Sequence, residues 1–583
     1  MVEGGPIDVL TGDYLAELTM LILYKARKKD PDAGYARTFL NQVEHVLGTC
    51  QERGIKIVTN AGGLNPRGLS DQLTSLASRL GLDISVAHIE GDDIVDRIPE
   101  MQAAGHSFSH LDTGRVLADV GVVPVTANAY LGGWGIAEAL GAGADIVVCP
   151  RVTDASLVVG PAAWWHGWER DDYDALAGAV VAGHVIECGP QATGGNYAWL
   201  EEVQDRRYPG FPIAEVASDG SSVITKHEGT GGLVSPGTVT AQLLYEIGSP
   251  DYANPDVVAH FDTVQLTSQG PDRVLISGAT GSPPPDTLKV AINFIGGYRN
   301  SMTIVVTGLD VEEKARWAED LLFAELGGRE QFDAVDVRLT RFDHPDAPSA
   351  ELASAQLTVS VKDRDQTKVG RRFSDAATAL FLGSFAGFHT TTPPSAAREF
   401  GVYWPSLVPA NLVEHRVVLP GGDVRLVPPT VEPGGRGREP LDAVEVPAVP
   451  AGPLVRAPLG RVCAARSGDK GGNANVGLWT RDPAAYSWLT SHMSVEQFRL
   501  LLPESEGLEI RRYDLPRLMA LNFVVVGLLG EGVASSTRPD PQAKGLGEYI
   551  RSRYVELPAA LLPDRTTSQN LGSRGTRSPL EED

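Results

Sequence analysis

Short apolar runs alternate with amphipathic stretches through residues 35–149, and few architectures accommodate that rhythm. Residues 55–59, 83–88, 122–126 and 145–149 read as strands. Residues 35–53, 67–80, 92–103 and 133–140 read as helices, with Phe39, Val43, Val46 and Leu47 at helical spacing in the first. Repeated strand–helix–strand units of this length bury their strands on both faces only in a mostly parallel sheet flanked by helices, joined by right-handed crossovers. From about residue 255 the pattern changes. Residues 264–266, 273–276, 288–296, 301–307 and 356–361 look like strands, and 311–326 and 375–387 like helices. Residues 457–558 run strand, strand, helix, strand, strand, helix, which a two-layer sandwich satisfies. The expected fold is therefore α/β: a mostly parallel sheet body over 1–254, a second α+β subdomain over 255–427 and a small C-terminal α+β domain over 457–558. A Pro-, Gly- and charge-rich linker over 428–456 joins them, and 559–583 is a polar tail expected to be disordered.

The net charge of −24 argues against nucleic acid and against an anionic membrane surface as partners. A small-molecule substrate fits better; an anionic one would need a local cluster of cations or N–H groups. Cys50, Cys149, Cys188 and Cys463 are scattered and form no CxxC pair, which argues for a reducing compartment without disulfides or structural zinc. No signal peptide is visible, and the longest apolar run, 523–529, falls short of the ~20 residues that a membrane span needs. A cytoplasmic location is expected. The oligomeric state stays open, a homo-oligomer included.

Ligands of open parallel sheets bind beyond the carboxyl ends of the strands. Residues 55–59 lead to Asn60, Gly62, Gly63 and Asn65, and 83–88 to His88, Glu90, Asp92 and Asp93. Residues 122–126 lead to Asn128, Gly132 and Gly133, and 145–149 to Arg151, Thr153 and Asp154. If these strands are parallel neighbours, the loops meet at one rim. Glycine permits close backbone approach, and a helix beginning after the loop offers N–H groups and a positive dipole end to a carboxylate or phosphate. A tight glycine-capped turn is the equal alternative. Arg151 suits a two-point grip on a carboxylate, with Asp154 as general base or as its ion-pair partner; the alternative is a helix N-cap by Thr153 or Asp154, with Arg151 on the surface.

Elsewhere, Lys226 and His227 precede Gly229, Gly231 and Gly232. His227 is an acid–base candidate and Lys226 a charge partner, against a solvated turn of mixed charge. Arg466, Asp469, Lys470, Asn473 and Asn475 read as one glycine-rich loop, either an anion nest or an inter-domain latch. His106 and His110, with Asp112 nearby, read as a surface loop, and no metal is assigned. The dinucleotide fingerprint, the Walker A loop and the serine-hydrolase elbow are all missing. The cofactor is unknown.

Several stretches together resemble the acyclic terpene utilization (AtuA) family. They are GDYLAELTM at 12–20, NAGGLNP at 60–66, NAYLGGWG at 128–135, CPRVTDAS at 149–156, GPQATGGNY at 189–197 and KHEGTGG at 226–232. RSGDKGGNAN at 466–475 resembles the signature of the family's C-terminal ferredoxin-like domain. The resemblance runs to about residue 558. Members that resemble this chain begin with a further short strand and a loop of the GxSGFxGD kind, and Met1 falls just after that element. The resemblance implies catabolism of acyclic terpenoids through branched acyl-CoA intermediates; it brings no settled reaction and no catalytic residue set. One expectation is an enzyme acting on a branched or carboxylated acyl-CoA by a hydration, dehydration or lyase step. In it Asp154 or His227 moves protons, Arg151 and Lys226 supply charge, and the Asn60 and Asn128 loops supply N–H donors. The alternative is a non-catalytic acyl-CoA binding or scaffold protein of the same pathway.

Overall fold

A computed structural model of the chain describes all residues except 393, 431–437, 439–443 and 563–583. Nearly all of the expected disordered tail, and part of the linker, lie outside the described residues. The first strands are β1 (Val9–Gly12), β2 (Lys56–Thr59), β3 (Val86–Glu90), β4 (Pro124–Ala129) and β5 (Ile146–Val148). The body sheet runs β1-β2-β5-β3 in parallel, then continues antiparallel through His415–Val418 and Val424–Val427. Its strands alternate apolar residues toward two helical layers. Ile57, Ile146 and Val148 pack on Leu69, Leu73 and Leu76 of the helix Pro66–Leu80. Val58, Ala87, Ile89 and Val147 pack on Ile136, Ala139 and Leu140 of the helix Trp134–Gly141. The first of these helices starts where Asn65 accepts the Gly68 N–H at 2.9 Å ahead of Pro66, and stops at left-handed Gly81.

One expected neighbour is elsewhere. β4 leaves the parallel sheet and pairs antiparallel with the strand Thr287–Thr307, while the edge of β3 is taken by His415–Val418. Partners more than 150 residues away in sequence decide this, and local periodicity carries no trace of them. The expected strands 288–296 and 301–307 are likewise one 21-residue strand, interrupted by a bulge between Ile295 and Gly297. Gly297 adopts φ 139°, and a Cβ there would lie 2.8 Å from the Asp363 carbonyl, so glycine is required.

The segments before and after residue 255 interleave. Leu288, Val290, Ile292, Trp404 and Val417 share one core with Val58, Ala87, Ile136 and Val147. A peripheral lobe forms where the helices Val311–Leu326 and Phe373–Gly383 cover the strands Ala334–Arg341 and Ser354–Asp363 and the far end of Thr287–Thr307. Among the described residues, no helix is long and apolar enough to cross a membrane.

The C-terminal domain is an antiparallel sheet in the order Ala464–Lys470, Asn473–Trp479, Ala520–Val525, Ile510–Leu515. Helices Val495–Leu501 and Leu546–Ser552 are packed on one face. Residues 466–475, expected as a loop, are two strands joined by Gly471 and Gly472, with Gly471 at φ 62°. The hairpin is regular because its glycines confine the turn to two residues. The sheet's other face docks on the body. Asn475 donates to the Leu244 carbonyl at 2.7 Å and accepts the Glu246 N–H at 3.0 Å; Asn522 donates to the Gly248 carbonyl at 2.7 Å. Gly468 and Gly477 leave room for Tyr245 and Leu244, where a Cβ would come within 2.5 Å of either side chain.

Candidate functional site

A cavity of about 1270 Å³ lies where the body sheet, the start of Thr287–Thr307 and the C-terminal domain meet. It is larger than the ~300–1,000 Å³ usual for small-molecule sites. Consecutive parallel strands end at it or just behind it. β1 delivers Asp13, β2 delivers Asn60, and β5 delivers Arg151, Thr153 and Asp154. This is the carboxyl rim of the sheet, where the strands' last side chains converge.

Asp13 is half-buried and lines the cavity. Its carboxylate accepts from Asn60 Nδ2 at 2.6 Å, and Tyr14 N–H holds the other end of that amide at 2.7 Å. Burial, reinforced by the Asp154 charge, pushes its pKa up to about 7, against the pull of Asn60 and Arg151. Asp154 sits in a different environment, ion-paired to Arg151 at 2.9 Å. Arg151 is almost fully buried; it also donates to the Leu15 carbonyl at 2.9 Å and lies 4.2 Å over the Tyr130 ring. Its backbone N–H reaches Asp92 Oδ2 at 3.2 Å, and Asn128 Nδ2 reaches the same oxygen at 2.7 Å. Asp92 thereby ties the β3, β4 and β5 ends into one network; burial and the Asp93 charge raise its pKa to about 7.

Glu187, just past the helix Tyr173–Ile186, lines another part of the wall beside Tyr252. The C-terminal domain adds Asp469, Lys470 and Lys544. Lys470 lies 5.2 Å from the Tyr252 ring, and Lys544 bridges Glu246 at 3.2 Å and Asp469 at 3.5 Å while contacting Tyr245. Among the described residues, no group of three or more His, Cys, Asp or Glu is placed to hold a metal ion.

Residues 1–419 match the family described as acyclic terpene utilisation family protein AtuA, and residues 457–556 match the AtuA ferredoxin-like domain. The chain belongs to the AtuA family. No curated protein matches it. The small domain of this AtuA protein is thus its ferredoxin-like domain, and the hairpin 464–479 is both the docking surface and the source of Lys470.

Of the residues singled out in the AtuA chain's sequence, Arg151, Thr153, Asp154, Asp469 and Lys470 line the cavity, and Asn60 braces Asp13 from behind. The others are occupied elsewhere. His227 contacts the Met1 carbonyl at 2.8 Å and covers the backbone of Gly4 and Gly5, outside the cavity. Lys226 is spent on Asp272 at 3.0 Å and the Thr230 carbonyl at 2.9 Å. Gly62 and Gly63 serve close packing, against the Cys149 carbonyl and Leu23. Gly133 donates its N–H to Asp256 at 2.7 Å, and Gly132 abuts the same carboxylate, so the start of Trp134–Gly141 already holds an anion supplied by the chain. Asn128 is turned inward to Asp92. Arg466 pairs with Gln191 and stacks at 4.1 Å on Tyr245, outside the cavity lining.

Sequence reasoning missed Asp13, Glu187, Tyr130 and Lys289. Asp13 directly follows β1, whose sequence Val-Leu-Thr-Gly is too short and too little patterned to mark a strand. Glu187 and Lys289 reach the cavity only through tertiary packing.

Proposed function

We propose that this AtuA-family protein is an enzyme of acyclic terpenoid catabolism whose cavity carries out proton transfer on a branched or carboxylated acyl-CoA, in a hydration, dehydration or lyase step. The observation that carries this reading is the split between Asp13 and Asp154. Two carboxyls share one cavity, one holding its proton near neutral pH and the other ion-paired to a buried arginine. Such a pair supplies an acid and a base at the same pH.

In the dehydration direction, Asp154 takes the proton next to the thioester carbonyl, and Asp13 gives its proton to the departing hydroxyl. The substrate loses H⁺ and OH⁻, water leaves, and the two carboxyls exchange protonation states. Asn60 fixes the Asp13 oxygen, and Lys470 offsets negative charge gathering on the carbonyl. Each proton transfer of this kind contributes roughly 10²–10⁴-fold.

The test is thermal shift with a panel of branched 3-hydroxyacyl- and enoyl-CoA esters, followed by turnover. Stabilisation with turnover that is lost in Asp13→Asn supports the reading. Stabilisation without turnover makes the protein a binder, and neither response removes acyl-CoA as the substrate class.

A further inference from the structure

The helix Tyr173–Ile186 is buried along most of its length, and its last turn contains a histidine that packing does not explain. His184 is 1% exposed, and neither ring nitrogen has a hydrogen-bond partner. Its ring is nested against Tyr252 and Phe261, with centroids 5.4 and 5.3 Å away. A phenylalanine would fill such a nest without burying two nitrogens that make no well-formed hydrogen bond, and buried polar groups are rarely left so. The side-chain polar atom facing the ring is Glu187 Oε1, 3.5 Å from Nδ1 and three residues further along the chain, and the backbone of Gln242 and Leu243 also approaches the imidazole. Glu187 itself faces the cavity.

We propose that Glu187 is a further catalytic group, a carboxylic acid that donates a proton or hydrogen bond to the ligand's carbonyl oxygen, and that His184 is its positioning residue. This rests on the reading of the cavity as a proton-transfer site. The surroundings of Glu187 favour its neutral form. Burial, followed by the charges of Asp154, Asp13 and Glu246, pushes its pKa up, against the opposing charge of Lys470. Cys188 follows in sequence, its thiol pushed up by burial and by Glu187. Burial and the Lys470 charge hold His184 neutral, its pKa down to about 3. The pair is therefore acid and neutral imidazole, with Glu187 O–H directed by Nδ1 rather than drawn into an ion pair. A separation of 3.5 Å is looser than a formed hydrogen bond, as acid–base contacts are before a ligand seats. On transfer the Glu187 O–H bond breaks, the ligand oxygen gains that proton, and the carboxylate left behind faces Lys470. A group kept neutral so that it can donate is what a carbonyl turning into an enolate needs.

The test needs no substrate. The full chain is treated across pH 5–9 with dicyclohexylcarbodiimide, a carbodiimide that adds whole to protonated carboxylic acids in apolar surroundings, and adducts are located by peptide mass spectrometry. Glu187 is expected to be labelled at pH 8, with no adduct in Glu187→Gln. In His184→Phe, which keeps the ring and loses the acceptor, the midpoint of Glu187 labelling is expected to fall by one pH unit or more. Where His184→Phe loses its cooperative thermal transition, His184→Asn serves for the same comparison. An unlabelled Glu187 at pH 8, or a midpoint unmoved or raised by the His184 change, overturns the proposal. Because the Asp13 adduct is read in the same spectra, failure at Glu187 is separable from failure of the wider reading.

Discussion

A raised carboxyl pKa is also a statement about stability. Asp13 binds its proton more tightly in the folded protein than in the unfolded chain, so stability falls as pH rises between about 4 and 7 and stays reduced above that window. Asp13→Asn mimics the protonated acid. It is expected to raise Tm at pH 8, by an amount equivalent to about 1–2 kcal/mol once screening through the open cavity is allowed for, with no gain at pH 4. It should also cost ~10²–10⁴ in turnover. A variant whose Tm difference is the same at both pH values would show that the carboxyl is not held protonated. Arg151→Ala removes the partner of Asp154 and the donor to Leu15 from an almost dry site, so a loss of about 3–5 kcal/mol is expected in denaturant titration. At this scale some polar residues that follow an obvious strand do reach or brace the cavity, as with Arg151, Asp154 and Asn60, while Asn128 after another strand turns inward. Asp13 escaped because four-residue β1 shows neither a long apolar run nor alternation. His227 misled because a charged triplet before glycines looks reactive, and nothing local tells that its ring covers Gly4 and Gly5.

Elements were legible in type more than in partnership. The helices Pro66–Leu80 and Val311–Leu326 fall where 3.6-residue periodicity puts them, because their apolar stripes face a single layer. β4 was recognisable as a strand, but its choice of the distant Thr287–Thr307 depends on contacts beyond the reach of any window. The glycine-rich stretch 466–475 was ambiguous for a different reason. Glycine marks turns and close approaches alike, and here it does both, turning at Gly471 and admitting Tyr245 at Gly468. Gly468→Ala places a methyl 2.5 Å from the Tyr245 ring, whose neighbours Lys544 and Arg466 pin it in place. The change should weaken docking by about 1–3 kcal/mol. Calorimetry is expected to resolve a separate, earlier transition for the ferredoxin-like domain. A single transition at the parental temperature would mean that the sheet face does not hold the domain.

The whole molecule is built on a core to which both sides of residue 255 contribute. A fragment of residues 1–254 lacks Leu288, Val290, Ile292, Trp404 and Val417 and leaves the edge of β3 bare. Circular dichroism of that fragment is expected to show no cooperative melt, and a sharp transition would contradict the shared core. The 21-residue strand Thr287–Thr307 has its own bearing on this plan. At about 3.3 Å per residue it is a spar on the order of 70 Å long. Its first residues, through Lys289, border the cavity, and its last residues carry the peripheral lobe. Between them lies no loop to absorb a load, only the notch at Gly296 and Gly297. One continuous strand thus ties the peripheral lobe to the lysine at the cavity, with an irregularity at that notch.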